Sequence, residues 1–130
     1  MHTRIGSALT ALAVFLAAGS LWAHHGYAVV FDVSKTVTLT GTIAKLEWTN
    51  PHIELSLDAK SDRGQLEAWV VEAASPGFFR SRNVTKSDFA NAIGQTVTVE
   101  VYRARDGTLS GVLLKITFPD GRVLTVQPGA

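Results

Sequence analysis

Histidine is the residue that could do chemistry in this chain, and its distribution is uneven. The 130 residues hold four histidines, His2, His24, His25 and His52, and no cysteine. Without thiols, disulfides and thiolate metal centres are excluded. Imidazoles and carboxylates remain as transition-metal ligands, and imidazole suits Cu, Zn and Ni. His24 and His25 are adjacent, and His52 closes the run Glu47-Trp48-Thr49-Asn50-Pro51-His52. If a leader is cut after Ala23, His24 offers its free α-amine and its ring as a chelate. A second imidazole from His25 or His52 then completes a T-shaped Cu(II) set like the histidine brace of copper proteins. A cut one residue earlier makes His25 the third residue. An amine, two backbone amides and its imidazole would then form a square-planar Cu(II) or Ni(II) site, although Trp22 is a poor residue at such a cut. His24, His25 and His52 are therefore the candidate metal ligands. The competing reading is a solvated terminal pair, with the His52 ring packed under Trp48 or capping the Asn50-Pro51 turn.

Glu54 stands two residues beyond His52, on the same side of an extended strand. It is the candidate partner or third ligand; Glu47 and Glu72 have weaker claims, and a solvated strand face is the alternative. Trp48 is the second candidate ligand-binding residue, because outward aromatics on small β-barrels stack bases or sugars. Packing in the core or as a lid competes for both Trp48 and Trp69. No Gly-rich phosphate loop, Gly-x-Ser-x-Gly elbow or His-Glu-x-x-His motif is present. No nucleophile and base stand out, which disfavours a hydrolase and favours a non-enzymatic binding domain. A copper oxidase built on a histidine brace is a third reading.

The compartment follows from the first residues. Arg4 precedes an apolar run from Ala8 to Ala18, and Leu21-Trp22-Ala23 precedes a polar segment. A positive start, a short apolar stretch and a small residue describe a Sec-type signal peptide over 1–23, placing the mature chain in the periplasm or outside the cell. The alternatives are a cut after Gly19 or Ser20, or an uncleaved span from Ile5 to Ala23. With cleavage no stable membrane span is expected. Loss of residues 1–23 removes one cation, Arg4, of the 12 Lys and Arg, and none of the 11 Asp and Glu. The mature domain is neutral and has no run of like charge, so no nucleic-acid partner is expected.

These residues need a scaffold, and the sequence outlines one. Residues 24–35 form an arm that is expected to pack loosely or along an edge, with a turn at Asp32-Val33-Ser34-Lys35. From Thr36 apolar and threonine residues alternate with period two, a half-buried strand. The phase slips after Ile43, predicting a β-bulge near Ala44-Lys45 that bends the strand, and Gly41 permits a close backbone approach. Asn50-Pro51 ends it. A second strand spans His52 to Ala59, with Ile53, Leu55 and Leu57 on one face. A third spans Leu66 to Ala73, apolar on both faces around Trp69, Val70 and Val71, and so central or covered.

Ser75-Pro76 reads as a cap and first helical residue, and Thr85-Lys86-Ser87-Asp88 as a capping box with Asp in the usual place of Glu. Phe89, Ala92 and Ile93 give the second short helix an apolar stripe that Gly94 ends. Strands return at Thr96–Arg103, at Ser110–Phe118 with Val112, Leu114, Ile116 and Phe118 inward, and at Val123–Val126. Turns fall at Arg105-Asp106-Gly107-Thr108 and Pro119-Asp120-Gly121-Arg122. The expected fold is mostly β: an OB-fold-like barrel of five to six strands over residues 36–127, with a short helical connection between strands 3 and 4. A two-sheet sandwich is the alternative.

The motifs together resemble a family of small secreted bacterial proteins of unknown function. The resemblance is carried by His24-His25-Gly26-Tyr27, Phe31-Asp32, Leu39-Thr40-Gly41-Thr42 and Glu47-Trp48-Thr49-Asn50-Pro51-His52. It continues through Ser75-Pro76, Val97-Thr98-Val99, Tyr102-Arg103-Ala104, Asp106-Gly107 and Pro119-Asp120-Gly121-Arg122. Gly26 and Tyr27 stand where members often have Ser and Phe, so no side-chain hydroxyl is available at position 26. The resemblance implies a periplasmic protein and brings no activity with it. The leading expectation is a periplasmic binding domain with a candidate Cu(II) site at His24, His25 and His52. The alternative is an OB-type module that binds a peptide, glycan, small ligand or envelope protein through the Trp48 face.

Overall fold

The computed structural model describes residues 26–129. The expected signal peptide and the His24-His25 pair lie outside the described residues. Period-two alternation produces six strands: β1 (Phe31–Glu47), β2 (Glu54–Lys60), β3 (Leu66–Glu72), β4 (Thr96–Ala104), β5 (Ser110–Thr117) and β6 (Val123–Thr125). Helices α1 (Pro76–Arg80) and α2 (Lys86–Asn91) connect β3 to β4. Neighbouring strands pair antiparallel in the order β3-β2-β1-β4-β5-β6, and β3 also pairs parallel with β5, Val70–Glu72 against Ser110–Val112. The hydrogen bonds therefore run in a closed ring, β1-β2-β3-β5-β4 and back to β1, with β6 attached outside it. The interior holds Leu39, Ile43, Leu55, Leu57, Trp69, Val71, Val97, Val99, Val101, Leu113 and Ile116.

The long first strand closes this ring because it bends. Its register with β2 shifts between Ile43 and Lys45, at the expected bulge. Past Thr42 the pairing with β4 runs on into the helical connection: Gly94 N donates to Ile43 O at 2.8 Å and Ile43 N donates to Gln95 O at 3.4 Å. Gly41 lies so close to β2 that a Cβ there would stand 2.3 Å from Asp58 O. No side chain fits such an approach.

β1 begins at Phe31, ahead of the expected Thr36, because Phe31 has an apolar site of its own. With Ala104 and Val112 it forms a second buried cluster outside the ring, and Tyr27 and Tyr102 pack against it. Phe31 pairs with Ala104, and the register shifts before Thr36. The turn expected at Asp32–Lys35 is instead continuous strand, where the register with β4 shifts; Ser34 N and Oγ donate to Asp32 Oδ1 at 3.0 and 2.6 Å.

The helices close one end of the ring. Ser75 caps α1, its Oγ accepting from Phe78 N at 3.3 Å, and Pro76 opens the helix. Asp88 Oδ2 accepts from Thr85 N at 2.7 Å, the carboxylate half of the expected capping box. The helices deliver Phe79 and Phe89, stacked edge to face at 5.1 Å, and Phe89 meets Phe118 at 5.2 Å. One expectation fails on the outer surface: Ile93, just past α2, is 43% exposed. β3 is central, as expected, paired with both β2 and β5, with Val70 41% exposed on its outer face. A second expectation fails in β5. Glu100 pairs with Lys115 but Val101 with Leu113, so Leu114 is skipped. Leu113 takes the interior place and Leu114 is only half-buried. Val112 is buried outside the ring, under the Phe31 cluster.

Candidate functional site

His52 sits where the chain re-enters the sheet. The Asn50–Pro51 bond is cis. Ile53, fully buried, already shares the ladder with the chain leaving β3: Ile53 N donates to Ala74 O at 3.2 Å, and Ala73 N to Ile53 O at 2.8 Å. This anchor fixes His52 beside the end of β3, on the outer face by alternation. Its Nδ1 lies 3.0 Å from Oε1 of Glu72, the two side chains 35% and 42% exposed.

The partner is thus Glu72 on β3, which on periodicity alone has a weaker claim than Glu54. Register supplies the reason. Glu54 is the direct cross-strand partner of Glu72, so His52, two residues before Glu54, stands diagonal to Glu72 and within reach of a long side chain. Glu54 also pairs in register with Glu47 on β1. Glu47, Glu54 and Glu72 therefore form a row across three strands. Lys45 binds Glu47, and its ammonium is held above its ordinary pKa chiefly by Glu47, with a further contribution from Glu54. His52 meets the other end of the row, at Glu72.

The chain's first described residues pack beside β4 and β5. Residues 26–30 form a helical turn held by Arg105, whose N donates to Val30 O at 2.9 Å and whose Nε donates to Ala28 O at 3.2 Å. Tyr27 packs on the cluster of Phe31, Ala104 and Val112. Val112 on β5 is the register partner of Glu72 on β3. Tyr27 thus packs on a cluster that includes Val112, the strand neighbour of Glu72.

Trp48 is half-buried. Its ring centroid lies 6.0 Å from that of Phe79 and 5.7 Å from that of Phe89. It lies against the aromatic core under the helices and has no part in the His52–Glu72 contact. Trp69 is buried, with its Nε1 donating to Glu67 Oε2 at 3.0 Å and the Arg103 guanidinium 5.2 Å over its ring.

Two cavities lie elsewhere. One of about 350 Å³ is lined by Asp88, Gln95, Phe118 and Arg122. There Arg122 joins α2 to the β5–β6 turn, donating from Nη2 to Asp88 at 2.8 Å and from Nε to Asp120 at 2.7 Å. The Asp88 carboxyl is held below its ordinary pKa, first by the Thr85 N–H and then by Arg122. The other cavity, of about 370 Å³, is lined by Asp32, Lys35, Arg103 and Arg105. Among the described residues, no three His, Asp or Glu side chains converge as a metal site, and no helix is long and apolar enough to cross a membrane.

A family model described as a family of unknown function (DUF6152) matches residues 12–114, which agrees with the resemblance to a family without an assigned activity. No curated protein and no solved structure matches the chain.

Proposed function

We propose that this chain, which belongs to the DUF6152 family of unknown function, is a secreted or periplasmic binding domain that takes up Cu(II) through His24, His25 and His52. The scaffold in this reading is an OB-type barrel. The ring order β1-β2-β3-β5-β4 and helices between β3 and β4 support it.

One observation carries the metal reading. Tyr27 packs on the cluster containing Val112, Val112 is the register partner of Glu72, and Glu72 holds His52. His25 precedes Tyr27 by two residues, a reach of roughly 7 Å when extended. On this reading the two histidine motifs, far apart in sequence, share one ion. A signal cut after Ala23 would add the amine of His24. An all-nitrogen set of amine and imidazoles suits the tetragonal preference of Cu(II).

The test is to secrete the chain, determine its mature N-terminus by intact mass, and titrate it with Cu(II). The reading expects His24 as the first residue, one ion per chain and a Kd below about 1 μM. His52→Ala should weaken it at least tenfold, about 1.4 kcal/mol. Micromolar or weaker binding, unchanged by His52→Ala, defeats the reading.

A second reading is an OB-type module that binds a peptide, glycan or envelope protein. The observation on its side is the apolar strip on the outer face of β3, where Leu66 is 70% and Val70 41% exposed. On this reading Leu66→Asp and Val70→Asp abolish partner capture from envelope extracts, and Trp48 fluorescence reports the ligand. Capture that survives both substitutions removes it.

A further inference from the structure

We infer that the end of the ring away from the helices is an anion site, where Lys35, Arg103 and Arg105 hold a small oxyanion carrying two negative charges. The inference uses neither copper nor any histidine, so it stands or falls apart from the reading above.

β4 leaves the helical connection at Thr96 and ends at Ala104, so Arg103 and Arg105 stand at the opposite end of the ring. Arg103 follows Val99 and Val101 on the interior face by alternation. Its guanidinium lies 5.2 Å over the ring of the buried Trp69. The cavity of about 370 Å³ there is lined by Asp32, Lys35, Val37, Arg103 and Arg105, a size that accepts small molecules. It lies where the pairing of β1 with β4 is irregular. Phe31 pairs with Ala104 and Thr36 with Tyr102, so four residues of β1, Asp32 to Lys35, stand opposite Arg103 alone.

The charged groups of the lining are three cations and one carboxylate, a net charge of +2. Among the described residues none of the three cations is in an ion pair. Asp32 is engaged elsewhere, its Oδ1 accepting from Ser34 N and Oγ. Its carboxyl is held below its ordinary pKa first by Ser34 and further by the charges of Arg105 and Lys35. Arg103 Nη2 donates to Gly107 O at 3.0 Å, and Arg105 Nε to Ala28 O at 3.2 Å. Neutral carbonyls thus orient both guanidinium groups and leave their charges unpaired. Arg103 Nε is in addition buried, with no hydrogen-bond partner among the described residues. A buried donor left unpaired is costly, and a ligand oxygen that reaches Nε removes that cost. A guanidinium presents its donors in a rigid fork that fits the oxygens of a phosphate or a carboxylate. Two negative charges match the charge of the lining. Inorganic phosphate and small dicarboxylates share this chemistry.

The experiment titrates the metal-free mature chain, ¹⁵N-labelled and in low salt, with inorganic phosphate and separately with succinate, at a pH where both are dianions. Acetate is the singly charged comparison. At least one dianion should saturate with a Kd at or below about 1 mM, bind more tightly than acetate, and shift the amide signals of Asp32–Val37 and Arg103–Arg105. Which dianion binds distinguishes a phosphate site from a dicarboxylate site. Arg103→Gln should weaken binding at least about tenfold. Lys35→Gln and Arg105→Gln, on the exposed rim, should each weaken it about two- to fivefold; they keep the test decisive if Arg103→Gln does not fold. Asp32→Asn, which removes the one negative charge, should tighten it by a similar factor. Arg63→Gln, which removes a cation from the exposed turn between β2 and β3, should change nothing. Failure of both dianions to saturate overturns the inference, and so do losses in Lys35→Gln and Arg105→Gln no larger than in Arg63→Gln.

Discussion

Replacing Trp48 with alanine separates packing from ligand recognition at the most conspicuous aromatic of the chain. The ring lies half-buried, 6.0 Å from Phe79 and 5.7 Å from Phe89 between centroids. A fully buried Trp removes up to about 250 Å² from water. Half of that, at about 25 cal/mol per Å², corresponds to roughly 3 kcal/mol. Two tilted aromatic contacts add about 0.5–1.5 kcal/mol each. Residual burial in the unfolded chain reduces the sum, so the expected loss is about 2–4 kcal/mol. For a domain of this size each kcal/mol lowers Tm by roughly 4–8 °C. Urea unfolding followed by far-ultraviolet circular dichroism measures the change. Trp48→Phe, which keeps an aromatic face on Phe89, should lose about 1 kcal/mol or less. Cu(II) affinity should stay within twofold of wild type in both. A Trp48→Ala protein within about 0.5 kcal/mol of wild type, the range of ordinary surface substitutions, would refute the packing role and return Trp48 to the ligand face.

Two further predictions concern the scaffold. Gly41→Ala places a Cβ 2.3 Å from Asp58 O and 2.8 Å from Ala59 Cα, so β1 must leave β2. The loss should be at least about 1–3 kcal/mol, measured by the urea midpoint, and an unchanged midpoint contradicts the approach. Asp88 is held below its ordinary pKa by Thr85 and Arg122. Its unfolded pKa is near 3.9, so its stabilisation is complete above about pH 5 and is lost as the pH falls through 4 toward the lower folded value. Wild type should exceed Asp88→Asn in stability at pH 6, and the gap should narrow toward pH 3; a gap independent of pH contradicts the bridge.

Local rules in this chain were legible and long-range pairing was not. The slip after Ile43, the Ser75-Pro76 cap, the Asp88 capping carboxylate and the Gly94 stop each depend on a few adjacent residues, and each is present. Leu114 was misplaced because the irregularity in β5 becomes visible only against its partner β4. The start of β1 was missed because Phe31 is buried by Ala104 and Val112, residues far along the chain. The same limit governed the site. Periodicity offered Glu54, the same-face neighbour of His52 on its own strand. The residue that meets the imidazole is Glu72, and only the β2–β3 register reveals the diagonal. Val112, in the cluster that Tyr27 packs on, neighbours Glu72 only through the parallel β3–β5 pairing, which no alternation pattern encodes.

That the N-terminal histidines and His52 share one ion is the central claim, and paramagnetic broadening tests it most directly. Cu(II) is added in steps to the ¹⁵N-labelled mature chain while its amide spectrum is followed. The account predicts that, within the first equivalent, signals of His52, Ile53, Glu72 and Val112 vanish together with those of Gly26 and Tyr27, while signals of the Asp62–Gly64 turn persist. Broadening confined to residues at and before Tyr27, with His52 and Glu72 untouched at one equivalent, would contradict it.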